Sequence, residues 1–143
     1  MKKITLAFSA MAVLAFVSCN KNDDDSKPAT VKDKLKGTWK MSEYGADANS
    51  NGTLETGETA PTTGTSFGGS ATYNADGTGN QIVTIMGTSD TFSFNWVLAT
   101  DDKTLYHISD GDTITSIITE LTTNRLVELT DESTPKSWVV FTK

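Results

Sequence analysis

The stretch "TFSFNWVLA", residues 91–99, decides the fold class. Phe92, Phe94, Trp96 and Leu98 occupy every second position, and small polar residues separate the first three of them. Because successive side chains of a β-strand point to opposite faces, this period of two predicts a strand with one apolar face and one polar face.

Similar runs fill the chain on both sides of this strand, and turn signals such as "NADGTG" and "SDGDT" separate them. Asp-Gly and Gly-Asp pairs tolerate the positive φ angles of tight hairpins, and the many threonines suit a half-exposed pleated surface. The predicted strands cover residues 38–44, 66–74, 79–86, 90–99, 104–109, 113–121, 125–130 and 137–142. Consecutive hairpins predict an all-β fold, an eight-stranded up-and-down antiparallel barrel with interior room for one small ligand. An open sandwich is the alternative architecture.

One short helix precedes the strands, in "TVKDKLKG" at residues 30–37. Thr30 is a good N-cap residue, Asp33 lies in the first turn, and Gly37 ends the helix. We therefore expect a single domain over residues 30–143, which is an ordinary size for one domain.

The segment "LKGTWKM", residues 35–41, resembles the opening of lipocalins and other calycin barrels, in which a short helix runs into Gly-x-Trp on the first strand. The segments "ATYNADGTG", "FSFNWVLATDDKTL" and "SWVVFTK" resemble the lipocalin-like domains of Bacteroidetes lipoproteins. The resemblance covers residues 31–143 and implies a barrel that binds a ligand inside.

The resemblance also implies structural roles for three residues. Gly37 and Trp39 match the motif, and in the family this Trp closes the narrow end of the barrel with an Arg lying across it. Arg125 is the only arginine. Odd-numbered strands of an up-and-down barrel start at the same end, so Arg125 at the start of the seventh predicted strand lies at the end where Trp39 opens the first, and a cation–π contact between them is geometrically allowed.

Residues 1–18 have the pattern of a signal peptide. Lys2 and Lys3 form a basic start, and the apolar run 4–17 is too short to cross a hydrocarbon core of roughly 30 Å. The following Cys19 is the only cysteine, which excludes an intramolecular disulfide. "FVSC" resembles a lipobox, so we expect lipid on Cys19; a plain cleaved signal with an incidental cysteine is the alternative.

Residues 19–29 contain the acidic run "NDDD", which predicts a solvated tether. This run resembles the export signal of surface lipoproteins in the Bacteroidetes, although a simple spacer explains it equally well. The expected localisation is the outer membrane, with lipid on Cys19 as the membrane contact, and the cell surface if the acidic run acts as an export signal.

The segment "DANSNGTLETGE", residues 47–58, has the spacing of a calcium loop, with Gly52 at the sharp turn. The expected calcium ligands are Asp47, Asn49, Asn51, Thr53, Glu55 and Glu58. A solvated Asn/Gly-rich turn that binds nothing is the alternative. The connection 45–65 leaves the open end of the barrel and is the longest between predicted strands, so we expect it to order a lid across the mouth.

Composition and motifs narrow the function. The chain has 12 Lys and Arg against 18 Asp and Glu, a net charge of −6, and no basic patch for nucleic acid. His107 is the only histidine, and the sequence supplies neither a nucleophile elbow nor a zinc spacing, so we expect no enzyme.

The main expectation is a small apolar or amphipathic ligand inside the barrel. The predicted lining residues are Phe92, Phe94, Trp96 and Ile118. The alternative is a surface interaction or glycan-binding module with a filled interior, which would use the 45–65 connection and outward aromatic side chains. A cavity of ligand size in the interior would support the first hypothesis, and a packed interior would support the second.

Overall fold

The computed structural model describes residues 28–62, 66–131 and 133–143. Signal peptide, Cys19 and most of the acidic tether lie outside the described residues. The described elements are α1 (Val31–Leu35), β1 (Gly37–Ala46), β2 (Thr59–Pro61), β3 (Phe67–Tyr73), β4 (Thr78–Ile85), β5 (Thr88–Leu98), β6 (Thr104–Ser109), β7 (Asp112–Leu121), β8 (Arg125–Thr130) and β9 (Ser137–Thr142).

The eight long strands form a closed antiparallel barrel. Each strand from β3 to β8 pairs with the next one in the chain, and β1 pairs with both β3 and β9. The closing register places Trp39 opposite Ala71 on β3 and Tyr44 opposite Val139 on β9. The predicted barrel is thus confirmed, the open sandwich is wrong, and the predicted strands match the eight long strands closely.

The short strand β2 was not predicted. It pairs with Glu43–Gly45 of β1, beyond the point where β3 pairs with that strand. Pro61 is tolerated there because β2 is an edge strand with no neighbour on its other side. Gly45 lets the two backbones come close, since a Cβ at this position would collide with the carbonyl of Glu58.

One end of the barrel is plugged by α1. Thr30 Oγ1 accepts from the Asp33 backbone N–H at 3.1 Å, and Asp33 Oδ2 accepts from the Thr30 N–H at 3.2 Å. This capping box confirms the predicted helix start. Leu35 is fully buried against Trp39, whose indole Nε1 donates to the Leu35 carbonyl at 2.7 Å. The helix and the first strand therefore lock the closed end together.

The barrel wall has apolar side chains on both faces. The inner cluster includes Trp39, Trp96, Leu105, Ile118 and Leu126, which fill the closed end. A second set, which we call the outer cluster, contains Val127, Leu129, Trp138 and Val140, with Leu54 and Ile117 packed against it. Strands β8 and β9 are thus covered on both faces near the open end.

Within the described residues, no helix has the length and the apolar character that crossing a bilayer requires.

Candidate functional site

A cavity of about 230 Å³ lies in the barrel interior, beyond the side chains that fill the closed end. Apolar and aromatic side chains, with Tyr44, Phe67, Phe94 and Phe141 among them, share its wall with polar side chains. Tyr44 and Phe67 pack against each other with ring centroids 4.9 Å apart. Because α1 and the inner cluster fill the other end of the barrel, the cavity lies toward the end where β1 finishes.

Polar side chains gather at the floor of this cavity. Tyr73 Oη donates to Glu128 Oε1 at 3.1 Å and lies 2.9 Å from His107 Nε2. A phenol has one hydrogen, so with Glu128 ionised the His107 Nε2–H donates to Tyr73. The Ser116 hydroxyl also hydrogen-bonds Glu128, and it lies 3.2 Å from the hydroxyl of Thr130. These five residues form the polar floor.

Burial controls the charge of the polar floor. Glu128 is only 3% exposed, and loss of hydration raises its pKa from 4.5 to about 7, although hydrogen bonds from Tyr73 and Ser116 act in the opposite direction. Burial also lowers the pKa of His107 from 6.5 to about 4 and raises the pKa of Tyr73. His107 is therefore neutral near pH 7, and Glu128 is close to its midpoint.

The polar floor was missed because its members come from separate strands. Sequence spacing offered no acid–base partner for His107, yet the fold brings Tyr73 and Glu128 to it from β3 and β8. One sequence signal existed. Glu128 is the only acidic residue in the strand "RLVELT", and it lies two positions from Leu126 and therefore on the same, inward face.

The four predicted lining residues have different positions. Phe94 lines the cavity, as expected. Trp96 and Ile118 are buried in the inner cluster at the closed end, where Trp96 Nε1 donates to the carbonyls of Asn74 and Thr78. The prediction for Phe92 is wrong, because this side chain is 52% exposed and does not line the cavity. It lies on the part of β5 that extends beyond its pairing with β6.

Gly79 makes room for Phe94. A Cβ at Gly79 would lie 2.5 Å from the Phe94 ring and 2.6 Å from the Thr72 carbonyl. The ring instead packs with its edge toward Tyr73 at 5.7 Å and meets His107 at 5.1 Å. Position 79 therefore requires glycine for the shape of the aromatic wall.

The closed end corrects the prediction for Arg125. Its guanidinium contacts Glu120 at 3.1 Å and Glu43 at 4.0 Å, and no cation–π contact with Trp39 forms. Lys143 instead places its ammonium 4.0 Å from the centre of the Trp39 ring. The reason is strand alternation, since Arg125 lies two positions before Val127 of the outer cluster and so points outward.

Lys143 also binds the C-terminal end of α1. Its ammonium donates to the carbonyls of Lys34 and Lys36 at 2.9 and 2.8 Å. Partial burial lowers its pKa. Lys143 thus makes the cation–π contact with Trp39 that was considered for Arg125, and it also makes two hydrogen bonds that cap the helix.

The 47–58 loop is compact and internally bonded. Asp47 is 1% exposed, and its carboxylate accepts from the backbone N–H groups of Asn51 and Gly52 at 3.1 and 3.0 Å. The side-chain amides of Asn49 and Asn51 donate to the two carboxylate oxygens of Glu55. Glu58 accepts from the N–H groups of Ala48 and Glu55 at 3.2 and 2.9 Å, which ties the two ends of the loop together.

The position of this loop differs from the expected lid. Leu54 packs on the outer cluster, and a Cβ at Gly52 would touch Leu129. None of residues 47–58 lines the cavity. The loop covers the outer wall because Leu129, Trp138 and Val140 present apolar surface there that would otherwise face water. Trp138, which belongs to this outer cluster, is consequently fully buried.

The metal prediction remains a prediction. Among the described residues, no three acidic, histidine or cysteine side chains come together as a metal-binding group. Asp47 and Glu58 direct their oxygens to backbone N–H groups, and Thr53 N–H donates to Asn51 Oδ1 at 2.7 Å. An ion would therefore have to replace several of these loop hydrogen bonds.

Comparison with known proteins agrees with the barrel geometry. A family model described as a lipocalin-like domain matches residues 35–127, more than half of the chain. The chain belongs to this family. The crystal structure of a lipocalin-like protein from Bacteroides uniformis ATCC 8492 is similar over 77% of this chain and 98% of that chain, with a TM-score of 0.53 and 17% sequence identity. At this identity the likeness shows the fold alone. No curated protein matches the sequence.

Proposed function

We propose that this lipocalin-like protein binds a small, largely apolar molecule inside its barrel and does not transform it. The observation that carries the proposal is the cavity of about 230 Å³ above the polar floor. Ligand sites in proteins combine mostly apolar walls with a few placed polar groups, and this cavity has both. Many sites exceed about 300 Å³, so we expect a compact ligand, well below the size of a typical lipid.

The alternative, a surface module with a filled interior, has less support. The interior is not filled above the closed end, and the 47–58 loop covers Trp138. Exposed apolar side chains do occur at the β4–β5 hairpin, where Ile85 and Met86 face solvent. Single exposed apolar residues are common on soluble domains and need no partner.

Native mass spectrometry of protein purified from its own envelope tests the proposal. We expect a co-purifying mass on the unaltered protein. Ala71→Leu, which adds volume at a buried lining position, should lose this mass. Ala75→Leu is the matched control, because Ala75 is exposed in a turn and the same substitution there should keep the ligand. An empty cavity in unaltered protein, or equal occupancy in both variants, would contradict interior binding.

We also propose that the 47–58 loop binds calcium weakly. The carboxylate of Glu55 already lies beside the amide groups of Asn49 and Asn51, which supports convergence of oxygen ligands at this place. Few carboxylates and the competing hydrogen bonds predict a dissociation constant of about 10⁻⁴–10⁻³ M, the range of extracellular sites. The ion would stiffen the cover of the outer cluster.

Titration calorimetry with millimolar calcium tests this site. We expect saturable heat from the unaltered protein and none from Asn49→Ala. Magnesium is the control ion, because it requires a tighter octahedral shell and should bind more weakly. Absence of heat with calcium in the unaltered protein would exclude the site.

We propose further that Cys19 carries lipid that anchors the protein to the outer membrane. Each buried methylene contributes about 0.8 kcal/mol, so two or three acyl chains hold a protein durably. Mass spectrometry of the native protein should show a diacylglycerol adduct on a peptide beginning at Cys19, and Cys19→Ser should release the protein from membranes. A free thiol at Cys19 in the native protein would contradict the anchor. Protease treatment of intact cells then tests surface display.

A further inference from the structure

The cavity contains an acidic group with no countercharge. Among the described residues that line it, Glu128 is the only carboxylate, and none is a lysine or an arginine. None of the ion pairs between described residues includes Glu128; those pairs involve Asp33, Glu43, Glu120 and Asp131. His107 on the same wall is neutral near pH 7. The interior is therefore a place where negative charge can develop and nothing in the described chain balances it.

Neutral hydrogen bonds only partly stabilise this carboxylate. Tyr73 and Ser116 donate to it, but a hydroxyl supplies a dipole and not a charge. A buried ion without a partner is costly, and a paired and hydrogen-bonded one is much less so. A cation placed in the cavity beside Glu128 would complete the pair, whereas an anion there would face repulsion in a medium of low dielectric constant.

The aromatic wall favours the same sign of charge. The ring of Tyr73, which belongs to the polar floor, lies 5.7 Å from the ring of Phe94, and Phe141 also lines the cavity. The faces of such rings attract cations, and the attraction grows where water is excluded. Apolar groups such as Met41 and Val139 form the rest of the wall and suit a hydrocarbon portion.

We infer that the cavity selects small organic cations, with the ammonium group of the ligand against Glu128 and its apolar part against the aromatic wall. This inference rests on the proposed function and narrows it to a ligand class. Amines should bind more tightly than neutral alcohols and more tightly than carboxylates such as short fatty acids. The amine can form a hydrogen-bonded charge pair with Glu128, whereas the matched alcohol can form only a hydrogen bond without the charge. We therefore expect the amine to bind about ten- to a hundredfold more tightly than the alcohol.

Calorimetric titration of the purified full chain at pH 8 tests the inference. The probes are two matched sets, hexylamine with hexanol and hexanoate, and 2-phenylethylamine with 2-phenylethanol and phenylacetate. We expect the amine of each set to bind most tightly and the carboxylate most weakly. Glu128→Gln should bring the amine to the affinity of the alcohol. Glu120→Gln, which removes an exposed carboxylate outside the barrel, should leave the preference unchanged.

The possible outcomes distinguish the inference from the proposed function. Alcohols that bind as tightly as amines, or an amine preference that survives in Glu128→Gln, would overturn the inference and leave interior binding intact. Absence of binding by all six probes, together with no co-purifying mass in the native protein, would overturn both. Folding of Glu128→Gln is checked by its fluorescence and denaturation. Ser116→Ala removes a donor to Glu128 and the contact with Thr130 but keeps the carboxylate, so this second variant should weaken the amine preference less.

Discussion

Replacing Glu128 with Gln should change how the stability of the barrel depends on pH. The carboxylate has a pKa raised from 4.5 to about 7 by burial. An acid with a raised pKa stabilises the folded state fully below its unfolded pKa, and this contribution is lost as pH rises through the folded pKa. The stabilising contribution of Glu128 to the unaltered protein therefore falls as the pH rises from about 4.5 through about 7, because the carboxyl group is harder to ionise in the folded state.

The size of the effect follows from the shift. Each pKa unit corresponds to about 1.4 kcal/mol, so the shift sets an upper limit of about 3 kcal/mol. Water that enters through the open mouth reduces this value, and we expect about 1–3 kcal/mol. Glutamine has nearly the same shape, can accept from Tyr73 and Ser116, and cannot ionise, so the variant should lack this loss.

Urea denaturation followed by tryptophan fluorescence at pH 5, 6, 7 and 8 measures the difference. We expect the stability of Glu128→Gln relative to the unaltered protein to increase by about 1–3 kcal/mol from pH 5 to pH 8. His107 has a pKa lowered to about 4 and loses its contribution as pH falls below 6.5; because it is present in both proteins, its opposite effect cancels in the comparison. Glu120→Gln should follow the unaltered protein. Parallel curves for Glu128→Gln and the unaltered protein would refute the assignment of the raised pKa to Glu128.

Three further substitutions test the rest of the fold. Lys143→Met removes two hydrogen bonds to helix carbonyls and the contact with Trp39, and should lower the free energy of unfolding in urea by about 1 kcal/mol. Arg125→Met should have a smaller effect. A larger loss for Arg125→Met would instead support Arg125 as the residue that stabilises the closed end. Leu54→Ala should lower the free energy of unfolding by about 1–2 kcal/mol and increase the rate of hydrogen exchange in the 47–58 loop. An unchanged exchange rate would mean that Leu54 does not hold the loop on the outer cluster. Thr30→Ala breaks the capping box and should cost about 1 kcal/mol; a neutral effect on thermal unfolding would show that α1 contributes little to closing the barrel.

The wrong predictions for Arg125 and for the 47–58 loop have one physical cause, which is the choice of face. Arg125 was placed correctly at the closed end by strand parity, but its side chain points to the outer surface, where Glu43 and Glu120 lie. The 47–58 loop was placed correctly at the open end, but apolar side chains on the outside of β8 and β9 hold it against the outer wall. Strand parity determines the end of the barrel at which a residue lies, and alternation within a strand determines the face. In "RLVELTD" each face carries both apolar and polar side chains, so the pattern alone did not identify the inner one.

The order and length of the eight long strands, the capped helix and the family were all readable from the sequence, because turn residues, capping residues and alternation are local properties. Which side chains meet in the interior became apparent only from the folded barrel. Tyr73 is 34 residues from His107 and 55 from Glu128 along the chain, and they meet because the strand registers and the closure between β1 and β9 bring three inward-facing positions to one level. Register is a property of the whole ring, and no local segment of the chain contains it.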